Sequence, residues 1–243
     1  MIRKEILQRN NDNVQFSREI ILIGEDNFNK IKNSKVLVFG LGGVGSYTVN
    51  ALARSGVGLI GIVDNDVVSE TNINRQLIAT YNTIGKKKVD VMEEMIHSIN
   101  PKCIVHSYDC FYLEGNEDID FSKYDYIVDC IDTISAKIDI IRKAKEFNKE
   151  IISCMGTGNK LDPFSFRIAD INQTSMCPLA RTMRYELKKR DIKNVKVLYS
   201  LEKNEAGVIY DETKGKAIPG SIAYVPSVAG LMIASYVINS IIK

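Results

Sequence analysis

Histidine is scarce in this chain of 243 residues, and no two of its cysteines are spaced as a C-x-x-C pair. The only histidines are His97 and His106. Structural zinc sites usually take closely spaced pairs of cysteine or histidine ligands, so we expect no zinc site and a structural role for both histidines. Five cysteines without a disulfide pattern are typical of a reducing compartment such as the cytoplasm. They are Cys103, Cys110, Cys130, Cys154 and Cys177.

An export signal and a long apolar run are also lacking. Residues 1–18 are polar and do not resemble a signal peptide, so we expect a cytoplasmic protein. The most apolar run, residues 226–242, is shorter than the roughly 20 residues that cross a bilayer, and it contains serine, asparagine and tyrosine. We expect a C-terminal helix over 226–243 that is buried or lies at a dimer interface. Peripheral membrane contact is the alternative.

A strong net charge of either sign is absent as well. The formal net charge of +2 neither requires nor excludes RNA binding, because phosphate contact depends on a local basic patch. One basic cluster lies at residues 86–88. A second follows Pro178, and it is either a solvated helix face or an RNA-contacting one. Its cations are Arg181, Arg184, Lys188, Lys189, Arg190, Lys193 and Lys196.

Alternating strand and helix patterns predict a single α/β domain over residues 1–243, without internal repeats. Nearly continuous apolar strands indicate burial on both faces. The predicted fold is therefore a doubly wound, Rossmann-like and mostly parallel sheet with helices on both faces. Strands are predicted near 35–39, 59–63, 103–107, 126–130 and 150–154. Helices are predicted near 18–32, 46–55, 86–98, 135–147 and 178–190.

Three further segments belong to this domain. Residues 1–34 are predicted to form an N-terminal helical segment that contacts a dimer partner. A short strand is predicted over 164–169, after a turn at Pro163. Residues 200–222 are rich in glycine and polar residues, and we expect a mobile loop there that contacts the substrate.

A glycine-rich turn follows the first predicted strand. Gly40, Gly42 and Gly45 form a G-x-G-x-x-G pattern, with Gly43 between them, and a predicted helix comes next. Such a turn brings the backbone close to phosphate groups and offers the free amides of a helix N-terminus. A dinucleotide site would have the same pattern, so the glycines alone do not distinguish NAD from ATP.

The residues after the second predicted strand favour ATP. Asp64 and Asp66 follow this strand, and Asn72, Arg75 and Gln76 come soon afterwards. Asp64 alone would be the ordinary acid that binds a ribose. The amide and guanidinium donors suit a triphosphate, which carries more charge than the pyrophosphate of NAD. Hydride transfer does not need so many of them.

A lysine and two acids complete the predicted site. Lys88 begins the third predicted helix and adds a cation. Asp129 and Asp132 lie at the end of the fourth strand, at the edge where open α/β sheets hold ligands. A carboxylate there is suited to Mg²⁺, and we choose Asp132 as the magnesium ligand. The reverse assignment, in which Asp129 binds the metal and Asp132 caps the sheet edge, stays open.

These residues resemble the ubiquitin-activating-type adenylating superfamily that includes ThiF, MoeB and HesA. The shared motifs are G-x-G-G-x-G, D-x-D, S/T-N-x-x-R-Q, a lysine 13 residues after that arginine, and D-x-x-D. The resemblance implies that a substrate carboxylate attacks the α-phosphate of ATP and forms an acyl-adenylate and pyrophosphate. It places Gly42 and Gly43 at the phosphates, Asp64 at the ribose, Asn72, Arg75 and Lys88 at the phosphate oxygens, and Asp132 at magnesium.

The N-terminal region is similar to a further motif of the superfamily, R-[YF]-x-R-Q-x-x-L. Its second arginine reaches across a homodimer to the ATP of the partner, and this implies such a role for Arg18. Gln15 and Glu19 depart from the motif, because arginine and glutamine usually stand at these positions.

Within the superfamily, the chain looks like the branch of tRNA threonylcarbamoyladenosine dehydratases. The likeness lies in residues 20–26, 51–58, 72–76 and 177–180, and carrier-protein activators usually have two zinc-binding C-x-x-C pairs that are absent here. This branch implies that ATP activates the free carboxylate of threonylcarbamoyladenosine beside the tRNA anticodon. Intramolecular attack then closes a ring with net loss of water, and no enzyme nucleophile is needed.

Other interpretations stay open at this point. The chain could activate the C-terminus of a small sulfur-carrier or ubiquitin-like protein, bind a nucleotide without catalysing a reaction, or be a redox enzyme. Cys177 could then form a thioester, although a lone cysteine before proline is more often inert. A sulfur-relay protein as a further partner also stays open.

Overall fold

The computed structural model describes residues 13–116, 118–203, 209–211 and 216–243. The first 12 residues of the predicted N-terminal segment lie outside this range. So do residues 204–208 and 212–215 of the predicted loop.

A sheet of seven strands forms the centre of the described part of the chain. Its order is β3-β2-β1-β4-β5-β7-β6, and every pairing is parallel except that of β6 with β7. This confirms the predicted Rossmann-like, mostly parallel α/β fold. The strands are β1 (Lys35–Phe39), β2 (Leu59–Val63), β3 (Ile104–Tyr108), β4 (Tyr126–Asp129), β5 (Glu150–Cys154), β6 (Phe166–Asp170) and β7 (Lys196–Ser200).

Helices cover both faces of the sheet. Alternating side chains of a strand point to opposite faces, so Val36 and Val38 pack against one helical layer while Leu37 and Phe39 pack against the other. The helices are α1 (Ser17–Ile23), α2 (Glu25–Asn33), α3 (Gly45–Arg54), α4 (Lys88–Ile99), α5 (Ile134–Glu146), α6 (Pro178–Lys189) and α7 (Tyr224–Ile242). The first layer contains α2, α3, α4 and α7, and the second contains α5 and α6.

The predicted helix over 18–32 is interrupted. Gly24 has a φ of +85°, in the left-handed region that glycine adopts without steric cost, and its amide donates to the carbonyl of Ile20. The chain therefore ends α1 at Gly24 and begins α2 directly after it.

The C-terminal half contains strands that the sequence patterns missed or displaced. β7 was not predicted, and β6 begins two residues later than expected because Pro163–Ser165 form a 3₁₀ turn. Within the predicted 200–222 loop, β8 (Ile209–Asp211) and β9 (Lys216–Ile218) pair as an antiparallel ribbon. The predicted loop thus contains two short paired strands, and its mobility stays a prediction.

The last helix, α7, crosses the sheet close to the glycine-rich turn. It is long and apolar enough to cross a membrane by length and composition alone, a test that core helices of soluble proteins also pass. Val225, Ala229 and Ile233 are fully buried against the first helical layer. At its end, the Lys30 ammonium of α2 donates to the carbonyl of Ile242 at 3.0 Å. One face of α7 is thus part of the core.

Candidate functional site

A cleft opens at the carboxyl edge of the sheet, between β1 and β4. β2 and β3 extend the sheet on one side of this point, and β4 and the later strands extend it on the other. Open α/β sheets hold ligands where the strand order reverses in this way. The cleft encloses about 350 Å³. It is lined by Phe39, Gly40, Gly42, Val63, Asp64, Asn65, Asp66, Asn72, Arg75, Gln76, Lys88, Cys110, Phe111, Tyr112, Cys130, Ile131, Asp132 and Thr133.

The glycine-rich turn wraps tightly between β1 and α3. Gly40 has a φ of +87°, and a side chain there would meet the carbonyl oxygen of Cys130 at 2.9 Å. A side chain at Gly45 would collide with the carbonyl of Gly40. Around Gly42, by contrast, the nearest atom to an added Cβ is 4.0 Å away. The turn therefore needs Gly40 and Gly45 for its own packing, while Gly42 leaves the backbone open to the cleft.

Gly43 points away from the cleft. A side chain at this position would meet Pro226 of α7 at 3.0 Å, and Gly43 does not line the cavity. The two glycines that the resemblance placed together at the phosphates thus lie in different surroundings, since Gly42 lines the cleft and Gly43 faces α7.

Asp64 is anchored by the backbone at the bottom of the cleft. Its carboxylate accepts hydrogen bonds from the amide of Leu41 at 2.6 Å and from the amide of Asp66 at 2.9 Å. A carboxylate offers about four lone-pair positions, so it can still accept hydrogen bonds from ribose hydroxyls. The contact with Leu41 also fixes the glycine-rich turn to the end of β2.

Lys88 is a buried cation beside these acids. Only 4% of its surface is exposed, and its ammonium lies 2.7 Å from Asp66 and 3.8 Å from Asp64. The Asp66 side chain is 61% exposed, which makes it the more easily displaced partner. A phosphate that enters the cleft meets a lysine that is held in place and can displace the exposed Asp66 carboxylate from it.

The segment after β2 presents Asn72 and Arg75 from a short 3₁₀ turn. The side-chain oxygen of Asn72 accepts from the amide of Ser69 at 3.1 Å, which leaves its amide nitrogen available to a ligand. The Nη1 atom of Arg75 donates to the carbonyl of Thr71 at 2.8 Å. A guanidinium has five N–H donors, so the remaining ones can serve a phosphate.

Gln76 carries a polar atom without a partner. Its side chain is 7% exposed and lines the cleft, and its Oε1 atom has no hydrogen bond among the described residues. A buried amide oxygen without a donor costs free energy on the order of 1–3 kcal/mol. A ligand or a water molecule in the cleft can donate the hydrogen bond that this oxygen lacks.

The two acids at the end of β4 have opposite surroundings. Asp129 is fully buried, lies 2.8 Å from the ammonium of Lys137, and accepts from the hydroxyl of Ser153 at 2.5 Å. Burial opposes the charged form of Lys137, but the Asp129 carboxylate outweighs it and raises the pKa of Lys137. Asp132, by contrast, is exposed and lines the cleft. The geometry therefore favours Asp132 over Asp129 as the acid that meets a ligand.

Sequence reasoning missed the segment that follows β3. Cys110, Phe111 and Tyr112 line the cleft, and Phe111 is 56% exposed. The signal was available, because the carboxyl end of β3 lies at the same sheet edge as those of β1 and β2. An exposed aromatic ring at this edge is suited to stacking on a purine.

Several predicted residues lie elsewhere. Arg18 is exposed on α1 and does not line the cleft of its own chain. Cys177 is buried at the start of α6. His97 lies 3.8 Å from Glu93, and His106 contacts the hydroxyl of Tyr124, so neither histidine reaches the cleft.

The cysteines beneath the cleft are poor nucleophiles. Burial raises the pKa of the Cys130 thiol well above its usual value and raises that of Cys154 to about 12. Reactive cysteines need an environment that stabilises the thiolate. The chemistry that the cleft supports is therefore phosphate binding and charge stabilisation.

The profile of the ThiF family matches residues 16–243. The chain belongs to the ThiF family. Among the ThiF relatives, the tRNA threonylcarbamoyladenosine dehydratase of Bacillus subtilis is 43% identical over 94% of this chain and 95% of its own length. The protein of the same name from Haemophilus influenzae is 39% identical over 68% of this chain and 63% of its own.

Solved structures of the family share this fold over almost the whole chain. E. coli tRNA N6-threonylcarbamoyladenosine dehydratase, TcdA, in complex with AMP has a TM-score of 0.85 and 30% identity, and it covers 95% of this chain and 96% of its own. The same enzyme in complex with ATP has a TM-score of 0.84 and 28% identity over the same shares. The expected resemblance to this family is confirmed.

Proposed function

We propose that this protein is an ATP-dependent tRNA threonylcarbamoyladenosine dehydratase. The observation that carries the proposal is the cleft at the β1–β4 edge, which brings the open backbone of Gly42, the cations Arg75 and Lys88, and the free carboxylate of Asp132 together. The relative from Bacillus subtilis, which is matched over nearly the full length of both chains, supports the substrate.

The residues of the cleft fit ATP. Gly42 leaves room for a phosphate to approach the backbone, and the unpaired Oε1 of Gln76 fits a ligand that also brings hydrogen-bond donors. A polyphosphate lacks donors, so hydroxyl, amino or ureido N–H groups of the bound reactants are the groups suited to Gln76. Phe111 offers a face for the adenine. The structures of TcdA with ATP and with AMP support this assignment.

Asp132 would hold a magnesium ion together with the phosphates of the nucleotide. Magnesium is commonly bound by one or two carboxylates plus substrate phosphates, and a single free carboxylate is what this cleft provides. When bound, the ion would neutralise charge that develops on the phosphate oxygens.

The protein's own residues would then do three things. Asp64 holds the ribose, while Asn72 and Arg75 donate to the phosphate oxygens. Lys88 exchanges part of its contact with Asp66 for a phosphate, so that it stabilises the charge at the α-phosphate as the substrate carboxylate attacks. The carboxylate takes the adenylyl group and pyrophosphate leaves, and ring closure by an atom of the same modified base then releases AMP.

We also propose that the enzyme works as a homodimer in the cytoplasm. Arg18 lies on the exposed face of α1, beside the exposed apolar side chains Ile21 and Leu22, which form a surface suited to a second copy. We propose that Arg18 reaches the cleft of the partner across this contact.

The direct test uses purified protein, ATP, magnesium and tRNA that carries threonylcarbamoyladenosine. After digestion of the RNA, mass spectrometry should show the loss of one water from the modified nucleoside only when ATP is present. An unchanged nucleoside would contradict the proposal. Pyrophosphate exchange stimulated by a small carrier protein would then be the next assay, because it reports the alternative reaction.

A further inference from the structure

The exposed face of α6 carries a row of cations around one aromatic ring. Tyr185 is 66% exposed, Arg181 lies one turn before it, and Lys188 and Lys189 lie one turn after it. Residues three and four positions apart share one face of a helix, so all four project together. We call these four residues the cationic stripe.

The cations of the stripe are unpaired, whereas their neighbours are not. Within the described ranges, Arg181, Lys188 and Lys189 have no ion-pair partner. Arg190, on the same helix end, lies 2.5 Å from Glu186, and Lys193 lies 2.7 Å from Asp191. The three unpaired cations thus lie on the same face of α6 as the exposed ring of Tyr185.

Helix electrostatics explain only part of the stripe. Cations near the C-terminus of a helix interact favourably with its dipole, which is sufficient reason for Lys188 and Lys189. Arg181, however, is the fourth residue of α6, close to the positive N-terminal end, and the first turn has no acid to offset it. The helix dipole therefore does not account for Arg181.

The Arg181 end of the stripe lies near residues that follow the cleft in the sequence. Thr182, at the border of the stripe, lines a second cavity of about 380 Å³ together with Ile134 and Ser135. These two residues follow directly after Asp132 and Thr133, which line the cleft. A long polymer bound along the stripe can therefore present one residue to the cleft.

We propose that the cationic stripe binds the anticodon arm of the tRNA, with the three cations at backbone phosphates and Tyr185 stacked on an unpaired base. This inference rests on the proposed function. Arg181 and Lys188 are seven residues apart, so they are separated by about 10 Å along the helix axis, a distance suited to separate phosphates. Aromatic rings beside cations are typical of surfaces that bind single-stranded nucleic acid.

The test measures binding of tRNA carrying threonylcarbamoyladenosine by fluorescence anisotropy without ATP, over a series of salt concentrations. The variant R181Q/K188Q/K189Q should bind roughly 50-fold more weakly at 0.15 M salt, and its plot of log K against log salt should be shallower by about 2 to 3 units. Tyr185→Leu should bind about 10-fold more weakly without changing this slope, and Tyr185→Phe should bind as the unmodified protein does.

The matched control removes three cations at the amino edge of the sheet, in K32Q/K35Q/K123Q. All three are exposed, so the change in net charge is the same and tRNA binding should stay within about threefold of the original. At saturating tRNA, the stripe variants should keep their turnover number and their KM for ATP, because the stripe does not touch the nucleotide.

The possible results separate this inference from the proposed function. If the stripe and control variants bind tRNA equally well, the inference is overturned even where the protein dehydrates the nucleoside, and the partner of the stripe is then to be sought among acidic proteins. If the stripe variants lose tRNA binding but the unmodified protein leaves the nucleoside unchanged, the inference stands and the proposed reaction fails.

Discussion

At the residue scale, the same chemical group has different roles according to its surroundings. Asp129 and Asp132 are three positions apart, yet one is buried against Lys137 and the other faces the cleft. Replacing one member of a buried ion pair leaves an uncompensated charge, which is strongly destabilising. Removing an exposed carboxylate leaves no such charge in the interior.

The two acids should therefore respond differently to the same substitution. Asp132→Asn should lower ATP-dependent turnover by roughly 100-fold or more while the midpoint of thermal unfolding stays nearly unchanged. Asp129→Asn should lower the free energy of unfolding by about 3 kcal/mol, because Lys137 loses its only buried counter-charge among the described residues. Pyrophosphate exchange and urea unfolding would measure the two effects. Normal turnover in Asp132→Asn would contradict the site assignment.

At the element scale, α7 supports the phosphate-binding turn from behind. Gly43 faces Pro226 of this helix, and the hydroxyl of Thr48 lies 3.1 Å from the carbonyl oxygens of both Val44 and Gly230, so that it can donate to either. The helix thus approaches the backbone of the turn without a side chain between them. Pro226 and Gly230, which are far from the turn in the sequence, thereby help to fix its position.

Gly230→Ala should weaken both the fold and nucleotide binding. The added methyl group would collide with the carbonyl of Val44, and such overpacking costs about 1–3 kcal/mol of the free energy of unfolding. Because Val44 belongs to the turn, the KM for ATP should rise as well. Gly156→Ala is the control, since an added Cβ there has no atom within 4 Å and should change neither value. Equal effects of both substitutions would contradict this role of α7.

Also at the element scale, the packing of α1 is sensitive to pH. Burial raises the pKa of Glu19 to about 7, partly offset by a hydrogen bond from Ser55 at the end of α3. The folded state thus prefers protonated Glu19, and stability falls as the pH rises from about 4.5 through 7.

Glu19→Gln removes this dependence. The variant should be more stable than the original protein at pH 8, and the difference should shrink as the pH is lowered to 5, where Glu19 is protonated in the folded state. Urea unfolding at both pH values measures it. Glu25→Gln, which removes an exposed acid from the neighbouring helix, should show no such gain. A stability gain that is the same at both pH values would contradict the burial of a charge at Glu19.

At the scale of the whole molecule, the proposed homodimer divides each active site between two chains. Arg18 lies on α1, outside the cleft of its own chain, while Asp132 lies within it. A variant that lacks the Arg18 side chain and one that lacks the Asp132 side chain therefore complement each other only if Arg18 acts across a dimer interface.

Mixing R18A and D132A proteins after subunit exchange should restore about a quarter of the original turnover, because half of randomly formed dimers are mixed and each has one intact site. Each variant alone should be inactive. Size-exclusion chromatography checks that both remain dimers. No recovery in the mixture, with exchange verified by differently tagged chains, would refute the action of Arg18 in trans.

The sequence predicted much of the site because its signals are local. Gly40, Gly42 and Gly45 mark a tight turn, in which added side chains at Gly40 and Gly45 would collide with the backbone. Strands β1, β2 and β5 have the predicted bounds. Phe111 was missed although β3 was predicted, because the residues after this strand match no motif and only the pairing of β3 with β2 shows that they reach the cleft. β7 was missed for a similar reason, since four of its five residues are buried in a sheet formed by distant segments.

The sequence by itself determined the alternating fold, the phosphate turn and the residue types that favour ATP, because these depend on spacing along the chain. Tertiary structure alone decided which of two aspartates faces the ligand, which glycine lines the cleft and which cations on α6 lack a partner. These properties depend on burial and on distances between segments far apart in sequence. A carboxylate that is buried beside a lysine and one that is open to a ligand have the same letter in the sequence, and only packing distinguishes them.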